Sequence, residues 1–340
     1  MNKKFKQLVV IFISFSVLIL AMGIGSVSIA PIDTINIIFY KLFNINFLHK
    51  IDDVQVSILW KIRFPRVLLA FISGSGLAIS GAIVQSILKN PLSSSYTLGV
   101  SSGAVVGASL TLLFKIHILG MFTMPFFAFL GGLFTISLVL IIVSKIDKTM
   151  QNNSIILFGM VFSLFSSSII SIILSFSRED MKSLIFWQMG SFALKNNKYI
   201  LILMPIVLVV SLIVFIFYKE MNILAFGDEE AKALGVSVRK VKFILLVCAS
   251  ILTGSVVSVT GIIGFIDLFT PHIARKLFGA NNKYVLPISS ILGGTFMVLC
   301  DLIARTIASP MELPVGSITA FIGAPFFVYL YFSKRKNSYD

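Results

Sequence analysis

The chain has 340 residues, of which 57% are hydrophobic and only 12% are charged, and its mean hydropathy is +0.99. A soluble domain cannot bury so much apolar surface, so the composition indicates a polytopic membrane protein and leaves no room for a soluble catalytic domain. In a soluble chain the net charge of +14 would suggest a nucleic-acid partner. In a membrane protein it indicates basic cytoplasmic loops, and we expect no nucleic-acid partner.

The first predicted element follows a basic N-terminal flank. Lys3, Lys4 and Lys6 precede an uncharged run over residues 8–30. A signal peptide has the same layout, and Ser28-Ile29-Ala30 resembles its cleavage site. Because the run is long enough to cross a bilayer and many more runs follow, the favoured interpretation is an uncleaved first helix.

Eight further uncharged runs are candidate membrane-spanning segments. A chain in lipid must satisfy its own backbone hydrogen bonds, so each run is predicted to be helical, the fold class all-α, and residues 1–340 a single transmembrane domain. The runs cover residues 67–88, 96–114, 116–144, 154–177, 199–217, 243–266, 284–300 and 313–333.

The loop charges favour about ten transmembrane helices over nine. With nine spans and the N-terminus inside, more Lys and Arg residues fall outside than inside, against the positive-inside rule. Dividing residues 243–274 into two spans reverses the balance and places both termini in the cytoplasm. Gly254, Gly261, Gly264 and Pro271 offer the break, and the second of the two spans is expected to be short or partly irregular.

A charged segment at residues 221–242 separates two long apolar runs. Its charges are interleaved with apolar residues, and Gly227 and Gly235 divide it. This pattern predicts two short helices with a glycine at each break. A docking surface for another protein on the inner face of the membrane and a solvated amphipathic loop both fit it.

Small residues are concentrated in S-G-S-G-L-A-I-S-G-A, at positions 73–82. Gly74, Gly76 and Gly81 predict close helix–helix packing, and a helix this thin can also line a passage.

Three arginines, Arg63, Arg66 and Arg305, are predicted to lie outside, against the charge rule. Their side chains can snorkel to lipid headgroups, and Arg305 can pair with Asp301 four residues earlier. A third interpretation is an external basic surface that receives an acidic partner.

Polar residues near the ends of spans are further candidates. Asn152 and Asn153, at a predicted cytoplasmic junction, fit either a helix cap or part of a gate. Asp267 and Asp301 lie at or near membrane depth, where an acidic residue is a candidate functional residue because burying its charge is costly.

The sequence carries no pattern typical of an enzyme. It has no nucleophile–base pair, no Gly-rich phosphate loop and no H-E-x-x-H motif, and its three histidines lack metal-ligand spacing. Cys248 and Cys300 lie in apolar runs, as buried small hydrophobes do. We therefore expect no catalytic residue, no metal site and no bound cofactor, and no ATP hydrolysis by this chain.

Nine stretches spread over nearly the whole chain carry a family resemblance. They are R-F-P-R (63–66), G-L-A-I-S-G-A-I-V-Q (76–85), N-P-L-S (90–93), L-G-V-S-S-G-A (98–104), W-Q-M-G-S-F (187–192), N-I-L-A-F-G-D-E-E-A-K-A-L-G-V (222–236), G-I-I-G-F-I-D-L-F-T-P-H-I-A-R (261–275), D-L-I-A-R (301–305) and E-L-P-V-G-S-I-T-A-F-I-G-A-P-F-F (312–327). In this order they resemble the FecCD family, the permease subunits of type II ABC importers for iron–siderophore, haem and cobalamin, which includes the vitamin B12 permease.

The resemblance implies an assembly in the bacterial plasma membrane. Its expected parts are this permease with a second copy or a sister permease, two cytoplasmic ATPase subunits that hold ATP-Mg, and an extracytoplasmic substrate-binding protein. The expected cargo is an iron–siderophore or a haem- or cobalamin-type chelate. Neither the chelate nor the choice between homodimer and heterodimer follows from the residues.

The resemblance also implies roles by position. Arg63, Arg66 and Arg305 match arginines that dock the binding protein, and Asn152 and Asn153 fall at the cytoplasmic gate. Coupling helices that seat in the ATPase match residues 222–241, and the residues expected to carry coupling are Leu224, Gly227, Asp228, Glu229, Glu230, Ala231, Leu234 and Gly235.

The chain departs from the family at three points. Ser93 stands where the family commonly has alanine, Asp267 stands where it has small residues, and the two gate asparagines differ from the hydroxyl residues of the cobalamin permease.

Two competing functions are an ion-gradient-driven secondary transporter, with Asp267 and Asp301 as its candidate midplane acids, and an integral membrane enzyme, which the absence of a reactive constellation disfavours.

Overall fold

The structure is a computed structural model that describes residues 3–25, 27–43, 52–147, 150–176 and 181–336, without the side chains of 181, 327 and 329–336. Within those residues every regular element is a helix, which confirms the predicted all-α class. The helices are α1 Lys3–Gly23, α2 Pro31–Phe43, α3 Asp53–Ile58, α4 Phe64–Leu88, α5 Val100–Leu113, α6 Thr123–Ile146, α7 Asn152–Phe176, α8 Met181–Gln188, α9 Asn197–Ile216, α10 Tyr218–Leu224, α11 Asp228–Ala233, α12 Val238–Thr260, α13 Ile266–Phe278, α14 Asn282–Thr306 and α15 Val315–Lys336.

Seven helical segments in the described part of the chain are long and apolar enough to cross a membrane. Val100–Leu113 and Val315–Phe326 are shorter apolar helical segments, and α13 is shorter than a full span. The protein is therefore a multi-pass membrane protein, and the count of about ten transmembrane helices stays a prediction. The seven segments are Lys3–Gly23, Asp53–Leu88, Gly120–Ile146, Asn152–Phe176, Asn197–Ile216, Val238–Thr260 and Asn282–Thr306.

The predicted break in residues 243–274 is present. Helix α12 ends at Thr260, the next five residues are not helical, and α13 begins at Ile266. Gly261 has a φ of 79°, which favours glycine and turns the chain at this point. The segment is tied to its surroundings, because the Ser191 N–H donates to Thr260 O at 2.8 Å and the Tyr96 hydroxyl donates to Ile263 O at 2.7 Å.

Helix α4 is the centre of the bundle. It continues from α3 through a π-helical turn at Leu59–Arg63, and all its residues from Ser73 to Gln85 are buried. It packs against α9, α12, α13 and α14. The Ser80 hydroxyl binds Ala249 O at 2.9 Å and lies 2.8 Å from the Thr253 hydroxyl, which ties α4 to α12. This burial favours the packing role of its small residues over a role in lining a passage.

Close backbone contact explains two of the three glycines of α4. A Cβ atom at Gly74 would lie 2.2 Å from the carbonyl oxygen of Gly293 on α14, and one at Gly81 would overlap the Asp267 backbone. Small residues at such positions let two helix backbones approach each other directly.

The two ends of the bundle gather different sets of loops. At one end the residues near 89, 145–153, 218–242 and 275–283 contact one another, and Lys6 of α1 donates to Leu277 O at 3.1 Å. With the N-terminus inside, the ten-span prediction places residues 89–96, 145–153, 221–242 and 275–283 on the cytoplasmic side, which are nearly the same segments. The other end holds Arg66 and Glu312, which the ten-span prediction places outside. This grouping agrees with the prediction that successive loops lie on alternate sides of the membrane. Which end of the bundle faces the cytoplasm stays a prediction.

A buried ion pair joins helices at this second end. Arg66 at the start of α4 donates to Asp301 of α14, with Nη2–Oδ1 at 2.8 Å and Nε–Oδ1 at 3.0 Å, and its Nη1 donates to Glu312 at 2.7 Å. Asp301 is 1% exposed. Asp301 pairs with Arg66 and not with Arg305, since the described residues contain no Asp301–Arg305 ion pair. The guanidinium groups of Arg63 and Arg66 point into the protein and do not snorkel outward.

Replacing Gly74 with alanine should destabilise the protein by about 1–3 kcal/mol, because the new Cβ overpacks the α4–α14 contact. The midpoint of thermal unfolding in detergent measures the effect. Gly264→Ala is the matched control, since a Cβ there meets nothing within 4 Å. Equal midpoints for the two variants would contradict the packing role.

Replacing Arg66 with alanine should cost about 3–5 kcal/mol, because it leaves the Asp301 carboxylate buried without its cation. Lys61→Ala removes an exposed cation five residues earlier and should leave stability nearly unchanged. The same unfolding assay compares them, and an unchanged midpoint for Arg66→Ala would show that the ion pair does not hold α4 to α14.

Candidate functional site

The segment between α9 and α12 forms the two short helices that its sequence pattern predicts. Gly227 separates α10 from α11, and Gly235 follows α11. Gly227 has a φ of 150°, and a Cβ there would overlap the Glu230 carboxylate. The predicted range of 222–241 differs at both ends, since α10 begins at Tyr218 and residues 238–241 already belong to α12.

The eight residues expected to carry coupling divide into anchors and exposed positions. Leu224 and Ala231 are fully buried and hold the segment against the bundle. Gly227 and Asp228 are half-buried. The exposed ones are Glu229, Glu230, Leu234 and Gly235.

Phe226 is a further candidate that the sequence analysis missed. It is 79% exposed and Leu234 is 68% exposed, so two large apolar side chains of this short segment reach the surface, as do Glu229 and Glu230 between them in sequence. We call Phe226, Glu229, Glu230, Ala233 and Leu234 the 226–234 surface. The available signal was a lone phenylalanine beside a glycine in an otherwise charged segment. Apolar side chains rimmed by charge are typical of a protein-binding patch.

Asp228 fixes α11 to the bundle. Its carboxylate accepts hydrogen bonds from Lys89 at the end of α4 at 2.9 Å and from Lys242 of α12 at 2.5 Å. Partial burial alone would raise the pKa of Asp228, but the bonds and charges of Lys242 and Lys89 hold that pKa below its ordinary value. The carboxylate is therefore ionised at neutral pH and remains a partner for both cations.

Asn222 fixes α10 in a similar way. Its side-chain amide donates to Asn281 Oδ1 at 3.0 Å, and its oxygen accepts from the Asn282 N–H at 2.8 Å. The short helices are thus attached to the ends of α4, α12 and α14, and the residues of the 226–234 surface remain exposed.

The gate asparagines lie in the first turn of α7. Asn152 Oδ1 accepts a hydrogen bond from Lys242 Nζ at 2.9 Å, and Asn153 is exposed. Asp147 holds the start of α7, since its carboxylate accepts from the Gln151 N–H just before the helix at 2.8 Å and from the Ser154 hydroxyl at 3.0 Å. The side chain of Asn152 therefore bonds to another helix, and its role as a gate stays a prediction.

Lys242 brings the coupling segment and the predicted gate together, and the sequence analysis assigned it no role. Lys242 is the last charged residue before the uncharged run that begins at Phe243. From the sequence, this position indicates only the end of a polar segment. Its partners Asp228 and Asn152 are far away in sequence from each other, so no local pattern identifies the contact.

The three predicted docking arginines lie together at the opposite end. Arg63 is 4% exposed and donates to Gly23 O at 2.7 Å. Arg305 is half-buried and donates to Ala21 O, and its Nε has no hydrogen-bond partner within the described residues. Arg63 and Arg66 are therefore occupied inside the chain, and the unpartnered Nε of Arg305 is itself buried. Docking itself stays a prediction for all three.

The two membrane-depth acids both have internal partners. Asp267 Oδ2 accepts from the Ser95 N–H and hydroxyl, each at 3.1 Å, and from the Ser94 hydroxyl, while Asp301 binds Arg66. Within the described residues no group of three His, Cys, Asp or Glu side chains is placed to hold a metal ion.

Comparison with known proteins agrees with this geometry. The model of the FecCD transport family matches residues 10–333. The ABC transporter permease YvrB of Bacillus subtilis (strain 168) is 38% identical over 94% of this chain and 90% of its own length. The Fe(3+)-citrate import permease YfmE of the same organism is 35% identical over 97% of this chain and 95% of its own.

A solved structure has the same fold. It is a metal-chelate type ABC transporter in an inward-facing conformation, with a TM-score of 0.83 and 31% identity, covering 95% of this chain and 97% of the other. Members of the matched family are membrane permeases of ABC transporters and are not themselves enzymes. The chain belongs to the FecCD transport family.

Proposed function

We propose that this permease imports an iron–siderophore, or a haem- or cobalamin-type chelate, as part of a binding-protein-dependent ABC importer. A separate ATPase subunit, which holds ATP-Mg, powers the transport. The observation that carries the proposal is the 226–234 surface, an exposed apolar and acidic patch on two short helices anchored by internal ion pairs.

The chemistry of this surface suits a protein partner. Phe226 and Leu234 offer apolar contact area, and Glu229 and Glu230 offer two carboxylates for basic groups of the partner. Because Asp228 and Asn222 fix the segment from behind, a push on the surface is transmitted to α4, α12 and α14.

The relatives support a chelated metal as cargo. YfmE is named for Fe(3+)-citrate, and further relatives are named for haemin, cobalamin and molybdate import. Three of these four cargoes are metal chelates, and the matched solved structure is of metal-chelate type. The proposal therefore places an iron chelate first and haem or cobalamin second.

The transport cycle needs no covalent chemistry in this chain. The loaded binding protein docks at the end that carries Arg305 and releases its chelate between two permease subunits. Closure of the ATPases on ATP moves α10 and α11, the helices tilt, and the gate at Asn152 and Asn153 opens towards the cytoplasm. Nucleotide binding thus biases one of two global states.

A secondary transporter driven by an ion gradient is the competing function. It needs a carboxylate that is free to bind the coupling ion near the midplane. Asp301 is engaged by Arg66, and Asp267 accepts three hydrogen bonds from Ser94 and Ser95. The ion pair with Arg66 favours a structural role for Asp301 and disfavours the competitor at that position. Asp267 Oδ1 is buried without a hydrogen-bond partner within the described residues, so Asp267 remains the competitor's candidate carboxylate.

Reversing one charge on the 226–234 surface tests the ATPase partnership. Glu230→Arg places a cation where the partner is expected to present basic groups, so uptake of the chelate should be abolished. Glu230→Gln, which keeps the size of the side chain, should reduce uptake less. Uptake of radioactive ferric citrate and ATPase activity are measured in proteoliposomes that contain the purified complex.

Stimulated ATPase activity and uptake that both survive Glu230→Arg would contradict the coupling role. A secondary transporter should tolerate this change at an exposed cytoplasmic position. Copurification from mild detergent adds an independent measurement, since the proposal expects a P-loop ATPase to accompany the tagged chain. A chain that purifies alone, and moves substrate under an ion gradient, would establish the competitor.

Docking of the binding protein should depend on Arg305 and on salt. Arg305→Glu reverses a half-buried charge and places a like charge opposite the partner's acids, so the Kd should rise about tenfold or more at low salt. Lys240→Glu is the control, because it reverses an exposed charge at the other end of the bundle. Titration of labelled binding protein at several salt concentrations measures both, and equal Kd values would exclude Arg305 from docking.

A further inference from the structure

Lys242 is a fully buried cation with three hydrogen-bond acceptors. Its Nζ atom donates to Asp228 Oδ2 at 2.5 Å, to Asn152 Oδ1 at 2.9 Å and to Met150 O at 3.3 Å, and the side chain is 0% exposed. An ammonium group has three N–H donors, so every donor is used. Without water to replace any of these partners, the group must keep them or leave the site.

The three acceptors come from two elements that are separate in sequence. Asp228 is the first residue of α11, beneath the 226–234 surface. Asn152 is the first residue of α7, and Met150 lies just before it with a φ of 53°. Lys242 itself belongs to α12, so one ammonium group joins the coupling segment to the start of the helix that carries the predicted gate.

We propose that Lys242 is the positioning residue that transmits displacement of α11 to the start of α7. The inference rests on the proposed function, in which an ATPase moves α11. A shift of Asp228 draws the ammonium group with it, and the ammonium group holds Asn152 and the Met150 carbonyl. The turn before α7 therefore follows α11, and the gate position changes with the state of the nucleotide.

Lys89 provides an internal comparison. It binds the other oxygen of Asp228 at 2.9 Å, but it lies at the end of α4 and its side chain is 30% exposed. Loss of Lys89 weakens the hold on α11 without removing the bond to Asn152. If Lys242 is the link, only its loss should uncouple α7 from α11. If a general loosening of α11 is responsible, loss of either lysine should have the same effect.

A static clamp is the alternative role for Lys242. A clamp lowers stability when it is removed, but it leaves the nucleotide response of every folded complex unchanged. A transmitting residue has the opposite signature, since its loss separates nucleotide binding from the gate while assembly and hydrolysis continue. The decisive readout is therefore the response of the gate, measured on assembled complex.

The experiment places a cysteine at Asn153, which is exposed beside Asn152, while the native Cys248 and Cys300 are buried. The purified complex with its ATPase is labelled with a fluorescent maleimide, first without nucleotide and then with ATP-Mg and orthovanadate. The rate of labelling at residue 153 should differ by about fivefold or more between the two states in the parent. Lys242→Met should remove that difference while ATPase activity remains.

Four further variants in the Asn153→Cys background complete the test. Lys240→Met, an exposed lysine on the same helix, and Lys89→Met should both retain the difference. Asn152→Ala keeps the Lys242–Asp228 ion pair and removes one arm of the link, so it should reduce the difference. The double variant Asn152→Ala/Lys242→Met should match Lys242→Met alone, because residues in one chain of contacts are not additive.

The outcomes separate the inference from the proposed function. A parent without any nucleotide response refutes the proposed coupling and the inference with it. A parent that responds, with Lys242→Met responding equally, overturns the inference and leaves the proposed function intact. If Lys242→Met does not assemble, Asn152→Ala decides: a full response overturns the inference, and a reduced one supports it.

Discussion

Charged groups that lose water must find partners inside the bundle, and this constraint organises both ends of the permease. At one end Asp301 is buried and takes bidentate contact from Arg66. At the other end Lys242 is buried, and its ammonium group donates hydrogen bonds to Asp228 and Asn152. Removing one partner of such a pair costs far more than the net gain of forming it, so these contacts fix which helices meet. The apolar surface between the ends supplies stability with much less directional preference.

Close backbone contacts determine how tightly the helices between those ends pack. Gly74 and Gly293 face each other on α4 and α14, and Gly81 lies against the backbone of Asp267. Tight contact in the middle and ion pairs at the ends make α4 the most enclosed helix. The helices α7 and α9 are far more exposed in the single chain, and such surfaces face lipid or another subunit.

Much of the architecture could be predicted from the sequence because membrane folding depends on long apolar runs and loop charge. The break after Thr260 was predictable from Gly261 and the charge balance, and the two short helices from Gly227 and Gly235. The uncharged run at residues 8–30 did not predict where the first helix ends, since α1 ends at Gly23, seven residues before the end of the run. Hydropathy marks apolar composition and gives no position for the end of a helix.

The partners of charged side chains were not predictable in the same way. The spacing of Asp301 and Arg305 favours an i, i+4 pair, yet the structure pairs Asp301 with Arg66, at the start of a different helix. Lys242 had no local signal, because Asp228 and Asn152 reach it only through the tertiary fold. Phe226 carried a local signal, but its exposure depends on how α10 and α11 lie on the bundle. Pairings of this kind are set by helix packing, which single-sequence patterns do not encode.

Helix α4 has one consequence for motion. It carries Arg66 at one end, and Lys89 follows its last residue at the other. At a rise of about 1.5 Å per residue these two cations lie roughly 35 Å apart along a nearly rigid rod. An α-helix resists stretching, so the separation of the two ends is fixed. A displacement at one end is therefore accommodated by movement of the whole rod and not by a change in its length, and the close contact of Gly74 with Gly293 limits how far α4 can shift along α14.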